Sequence, residues 1–188
     1  AAVAPEAVIV PIKVFNPWGI TRSGAMRAAF HEAVATKADF IVCAWATRVR
    51  SQALRDGVEE AVAAGIPIIA AAGDRGDSLD KDPAFPAAWS GEFPGMIVSV
   101  ASLTRNGDTI SKQPGRHSNY SSTLVSIAAP GELMRVANPR NEFATAGSSG
   151  HAASLVAGAL ARQMQRSRGQ AVERLLDQAR EVPALGAF

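Results

Sequence analysis

At 188 residues, with 47% hydrophobic and 19% charged side chains and a formal net charge of +2, the chain has the size of one domain with a full core. These proportions exclude a disordered chain. No apolar run approaches the ~18 residues that span a membrane. No basic run or aromatic-interleaved basic patch points to nucleic acid, and Arg48, Arg50 and Arg55 read as a solvated cluster. The lone Cys43 cannot form an internal disulfide and reads as a small buried hydrophobe. Ala1 to Pro11 has no basic start and is broken by Pro5 and Pro11, so it is not a signal peptide. A chain that opens on Ala1 and not Met reads as a processed or excised piece, and its compartment is undetermined.

In chain order, Ala7 to Phe15 reads as a strand made irregular by Pro11. Asn16-Pro17-Trp18-Gly19 is a turn. Ser23 is the expected N-cap of a helix to about Lys37, with Met26, Ala29, Phe30, Ala33 and Val34 inward. Phe40 to Ala46 is a continuous apolar strand. Ser51 caps a second helix with Leu54, Val58, Ala61 and Val62 inward, ended by Gly65. Pro67 to Ala72 is a further apolar strand, Asp74 to Trp89 a polar loop, and Met96 to Ser102 and Leu124 to Ala129 further strands. Glu132 to Phe143 has room for a short hairpin. Apolar strands alternating with amphipathic helices predict a parallel sheet covered on both faces. One domain over residues 1–188 is the natural division, with no internal repeat or linker.

The densest signal is Gly147 to Gln163. A small-residue turn, Gly147 to Gly150, leads into a helix whose Ala152, Ala153, Leu155, Val156, Ala157, Ala159, Leu160 and Ala161 leave almost no polar face. Such a helix is buried. Its N-terminus offers unpaired N–H groups and a positive dipole end, suited to a nucleophile or an oxyanion.

This stretch resembles the nucleophile segment of the subtilisin-like serine proteases (subtilases, peptidase S8), Gly-Thr-Ser-x-Ala-(Ser/Ala)-Pro-x-Val-Ala-Gly. Aligned on Val156-Ala157-Gly158, Ala152 and Ala153 fall on the small pair, Ser154 replaces the Pro, Ser149 falls on the Thr and Gly150 on the catalytic Ser. A one-residue slip would instead put Ser149 at the nucleophile position and turn the helix face by about 100°. Further segments follow in family order: Ala4-Pro5-Glu6-Ala7 with Ile12 to Phe15, Ala38 to Val42, Ile66 to Gly73, Phe85-Pro86-Ala87, Gly95 to Val100, Ser118-Asn119-Tyr120 and Ala128 to Gly131. The resemblance implies a three-layer subtilisin-like α/β fold with a mostly parallel sheet, lacking the family's N-terminal strands.

It also implies what is absent. The family's catalytic Asp and His motifs precede the segment that opens this chain, and neither occurs here. His31 falls within a helix, His117 precedes Ser-Asn-Tyr, and His151 follows the nucleophile position with no hydroxyl at Gly150 to activate. Asp74 stands where the family places an oxyanion-donating Asn. An ionised carboxylate accepts hydrogen bonds and donates none. A protonated Asp74 would donate, as in the related sedolisins. Ala44-Trp45-Ala46 aligns with the family's substrate strand Ser-Leu-Gly, so the cleft, lined also by Ala72, Gly73 and His151, is expected to be altered or partly filled. Asp74, Asp77, Asp80 and Asp82 read as a solvated acidic loop, with calcium the weaker alternative and no cofactor expected.

Two functions follow from the resemblance. One is a catalytically inactive subtilase-like domain that binds a protein or peptide, or acts as a scaffold. The other is the C-terminal portion of a larger or split subtilase whose Asp and His come from another segment or chain, with uncovered sheet edges that invite pairing or self-association. A different enzyme using His151 or Asp74 has no supporting motif. Subtilases are often secreted or periplasmic, which leaves the compartment of this chain open.

Overall fold

Four short apolar stretches pair in parallel, and both faces of the resulting sheet need helices to cover them. The computed structural model describes residues 3–104, 110, 112–113, 116–138, 140 and 142–180, without the side chains of residues 112, 113, 116, 117 and 168. Helix α1 (Ser23–Ala35) precedes strand β1 (Ile41–Cys43), and α2 (Gln52–Ala63) precedes β2 (Ile68–Ala71). Then come β3 (Ile97–Leu103), the small pair β4 (Lys112–Gln113) and β5 (Arg116–His117), and β6 (Ile127–Pro130). The hairpin β7 (Met134–Ala137) and β8 (Phe143–Ala146) leads into α3 (Ser149–Arg166) and α4 (Ala171–Asp177). The main sheet has the order β1-β2-β3-β6. Its register sets Ile41 opposite Ile68, Ile68 opposite Ile97, and Val100 opposite Ile127.

The period of two along β2 divides the core. Ile68 and Ala70 meet Met26 and Phe30 of α1 and Leu54, Val58 and Ala61 of α2. Ile69 and Ala71 meet Ala152, Ala153, Val156 and Leu160 of α3 and Ala171 and Leu175 of α4. The result is the expected three-layer α/β arrangement. Alanines on α3 let that helix lie close to the sheet, which explains why its buried face carries so little bulk.

Local signals decide the boundaries. The Ser51 hydroxyl accepts from the Leu54 N–H at 3.4 Å and starts α2. The expected cap at Ser23 is displaced by one residue: Arg22 occupies the N-cap position without a side-chain bond, and Ser23 is already helical. The turn at Asn16 forms as expected, with Asn16 Oδ1 accepting from the N–H groups of Trp18 and Ile20. The stretch 40–46 contributes only three strand residues, because Thr47 already bridges to Phe85 and draws the chain away from the sheet.

One expected strand does not form. Ala7 to Phe15 carries the right residue types but belongs to no strand. β propensity is fitness for a ladder, and a run of Val and Ile becomes a strand only beside a neighbour. Among the described residues the segment has none.

The polar loop after β2 holds a short 3-10 turn at Ala87–Trp89. Its Asp80 accepts from the hydroxyls of Thr123 (2.6 Å), Ser121 (3.1 Å) and Ser78 (3.3 Å). The Thr123 bond, helped by the other two and opposed by partial desolvation, holds the Asp80 carboxyl below the usual range.

Leu54 is fully buried between the helices and the sheet. Leu54→Ala is expected to lower unfolding stability by about 2–5 kcal/mol in urea titration. A lowered carboxyl pKa adds stability that is present above the unfolded value of about 3.9 and is lost as pH falls from there through the folded value. Asp80→Asn is therefore expected to be less stable than the parent near neutral pH, with the gap closing below about pH 4 when urea midpoints are compared across pH.

Candidate functional site

The C-terminal ends of parallel strands are where loops converge in α/β folds. Here the residues after β1 (Ala44 to Ala46), those after β2 (Ala72 to Asp74) and the start of α3 come together. Asn119 organises the second of these. Its side chain is buried, with Oδ1 accepting from the N–H groups of Arg75 and Asp77 at 3.0 Å and Nδ2 donating to the Ala72 carbonyl at 2.9 Å. Its own N–H donates to the Gly73 carbonyl at 2.8 Å. Gly73 has φ +103°, and a Cβ there would stand 2.6 Å from Asn119 Nδ2, so only glycine fits this bend.

The bend aims Asp74 at the first turn of α3. Asp74 Oδ1 accepts from the Ser149 N–H at 2.6 Å, and Oδ2 accepts from the Ser149 hydroxyl at 3.2 Å. The Gly73 N–H donates to the same hydroxyl at 3.0 Å. A carboxylate at a helix N-terminus satisfies an orphan donor and complements the dipole. Ser149 is wholly buried, and its oxygen is held from two sides. Asp74 thus acts on the helix start and presents no donor to the cleft.

Gly150 follows, buried in the first turn of α3. A Cβ at 150 would stand 2.6 Å from the Ala44 carbonyl oxygen and 3.4 Å from Ser148 Oγ. The backbone after β1 therefore occupies the space a side chain there would need. Ser148 is the N-cap: its hydroxyl accepts from the His151 N–H at 3.2 Å and lies 2.7 Å from His151 Nδ1. In the Nε2–H tautomer this hydroxyl donates to Nδ1. Position 150 offers His151 no hydroxyl, but the structure supplies one from Ser148. No carboxylate bonds the His151 ring among the described residues, so nothing fixes that tautomer as a triad acid would.

The other residues singled out from the sequence are placed as follows. Ala44 and Ala46 are exposed, Ala72 is buried, and Trp45 is half-buried, edge-on to Phe15 with ring centroids 6.0 Å apart and packed on the α1–α2 core. His31 is on the surface and paired with Glu60 at 2.7 Å. The His117 side chain lies outside the described residues. Asp82 pairs with Arg48 and Asp77 with Arg75, while Arg55 binds Glu59 and Glu92 and stacks over Trp89. Among the described residues no group of three or more His, Cys, Asp or Glu is placed to hold a metal. Cys43 is buried, and burial pushes its thiol up to about 12.

Two contributors escaped the reading of the residues. Asn119 was visible only as part of a family-like tripeptide, since its partners lie more than forty positions away. Ser148 was absorbed into a glycine-rich turn, although Ser followed three residues later by a polar side chain is the spacing of a helix cap.

Comparison with known proteins agrees with this geometry. The sequence profile of the subtilase family, peptidase S8, matches residues 1–179. The chain is 29% identical to an intracellular serine protease of Paenibacillus polymyxa, over 85% of this chain and 46% of that protein. It is 27% identical to the major intracellular serine protease of Bacillus subtilis (strain 168), over 86% of this chain and 48% of that protein. The chain spans about half the length of the curated relatives it matches. The crystal structure of a cold-adapted subtilisin-like serine proteinase superposes with a TM-score of 0.77 at 23% identity, covering 93% of this chain and 60% of the other. With the profile running from the first residue through α4, and with the sheet, the α3 start and the Asn119 bend in place, the chain belongs to the subtilase family.

Proposed function

We propose that this chain is a subtilase-fold module without peptidase chemistry of its own, which serves to bind a protein or peptide partner. The observation that carries this reading is the crowding at Gly150: the Ala44 carbonyl stands where a nucleophile's Cβ would need space. The surroundings agree with it. Ser149 is buried and bound by Asp74 and Gly73, so the slipped alignment would need a nucleophile with no access to substrate. Asp74 places a carboxylate where an acyl-transfer oxyanion needs donors, and loss of one such donor alone costs about 3–4 kcal/mol in the transition state. Calcium and other cofactors have no part in this reading.

A second reading has its own support. In it the chain is the nucleophile-side portion of a larger or split subtilase, whose Asp and His come from polypeptide outside these residues. The support is the partial coverage of the relatives, together with the apolar, unpaired segment before α1. Under either reading Gly150 leaves the aligned position without a hydroxyl.

A serine-directed fluorophosphonate probe separates these readings from an active enzyme. No labelling is expected for the purified chain, with an active subtilase labelled in parallel. Labelling abolished by Ser148→Ala or Ser149→Ala would overturn the proposal. Gly150→Ser is expected to lose about 1–3 kcal/mol of stability through overpacking against Ala44 and to gain no peptidase activity.

A further inference from the structure

We infer that a groove at the end of the sheet away from Asp74 and Gly150 binds a small amphipathic cation, an aromatic body that carries one protonated amine. The groove is separate from the strand-end loops described above, so the inference does not depend on the proposed function.

The groove forms where three connections enter the sheet. Lys37 to Asp39 lead from α1 into β1, Ala64 to Pro67 lead from α2 into β2, and Gly95 and Met96 lead into β3. These are the N-terminal ends of parallel strands, whereas Asp74 follows the C-terminal end of β2. The last turn of α3 and the start of α4 close the other side. The space is about 850 Å³, the size of a small-molecule site.

Its wall is apolar. Ile66 and Pro67 are buried beneath it. Met164, Val172 and Leu176 pack on the α3–α4 core and leave part of their surface open to the groove. Met96 is half-buried on the same wall. Thioether side chains adapt their shape, and their sulfur favours contact with an aromatic ring, so the two methionines suit an aromatic body.

The rim selects the sign of the head group. Asp39 and Glu173 bring two acidic side chains to it, against the single Lys37. Glu173 is exposed and makes no hydrogen bond or ion pair with any described residue. Helices α1 and α2 both end here, at the C-caps Thr36 and Ala64, and neither has a basic side chain in its last turn. A helix C-terminus carries partial negative charge that a cation complements. The start of α4 opposes this with the positive end of one short helix. Two acids and two helix C-termini outweigh one lysine and one helix start, so an ammonium group is favoured and a carboxylate is repelled.

The test titrates the full chain, labelled with 13C at its methionine methyl groups, with phenylbutylamine. Phenylbutyrate and phenylbutanol, which keep the body and change the head, are titrated in parallel. The sequence has four methionines, Met26, Met96, Met134 and Met164. Met26 is buried in the α1–α2 core and Met134 starts β7, so both report on binding elsewhere. The Met96 and Met164 methyl signals are expected to shift with the amine while the other two stay in place. The amine is expected to bind at least about threefold more tightly than the alcohol and about tenfold more tightly than the carboxylate. Glu173→Gln is expected to weaken the amine about threefold and leave the alcohol unchanged. Ala64→Trp, at an exposed position on the rim, is expected to weaken all three, with a melting temperature close to that of the parent. Equal affinity for the three heads, unmoved Met96 and Met164 signals, or shifts at all four methionines would each overturn the inference. Amine binding that appears only after residues 181–188 are deleted would also overturn it, because the end of the chain would then hold the groove. So would Met96 and Met164 shifts that follow dimer formation without ligand, because a second copy would hold it. Fluorophosphonate labelling, which tests the proposed function, has no bearing on these outcomes.

Discussion

A parallel sheet has no face to give to water, and that constraint governs this chain. β2 is buried along its whole length, and every residue of β3 is buried as well. Each face therefore requires its own pair of helices, and the connections between strands must carry them. α1 and α2 cover one side and α3 and α4 the other. The loops that matter chemically are those left at the strand ends once both faces are taken.

The loop after β2 illustrates how such a fold couples distant parts. One buried amide, Asn119, fixes three backbone groups of the bend, and the bend delivers a carboxylate to the first turn of α3. Strand, loop and helix are locked through hydrogen bonds between residues 42 to 76 positions apart in sequence. In a hydrolase such an assembly holds donors ready for a developing negative charge. Here the side chain that the loop delivers is Asp74, which accepts from the Ser149 N–H and hydroxyl.

Much of this was legible in the residues, for identifiable reasons. Amphipathic spacing located Met26, Phe30 and Ala33 on one helix and Leu54, Val58 and Ala61 on the next, because burial repeats with the helical turn. The alanine-rich run after Gly150 announced a helix pressed against a sheet. What stayed hidden depends on neighbours distant in the chain. Ala7 to Phe15 has strand composition, yet pairing is a property of two segments, and composition reports only one. The Asp74–Ser149 contact and the Ser148–His151 pair are likewise facts of assembly: the sequence displays the residue types, and only the fold determines which hydroxyl meets which acceptor.

The single thiol of the chain acquires a use from its position. Cys43 ends the edge strand, is buried among the α1–α2 core, and has its ionisation pushed up to about 12. At neutral pH it is neither accessible nor a thiolate, and the thiolate is the form that reacts with alkylating reagents. Its modification therefore requires the α1–α2 layer to open from the end of β1 first. The rate at which a thiol reagent consumes Cys43 is a built-in clock for the opening of that layer, free of any competing sulfhydryl in the sequence.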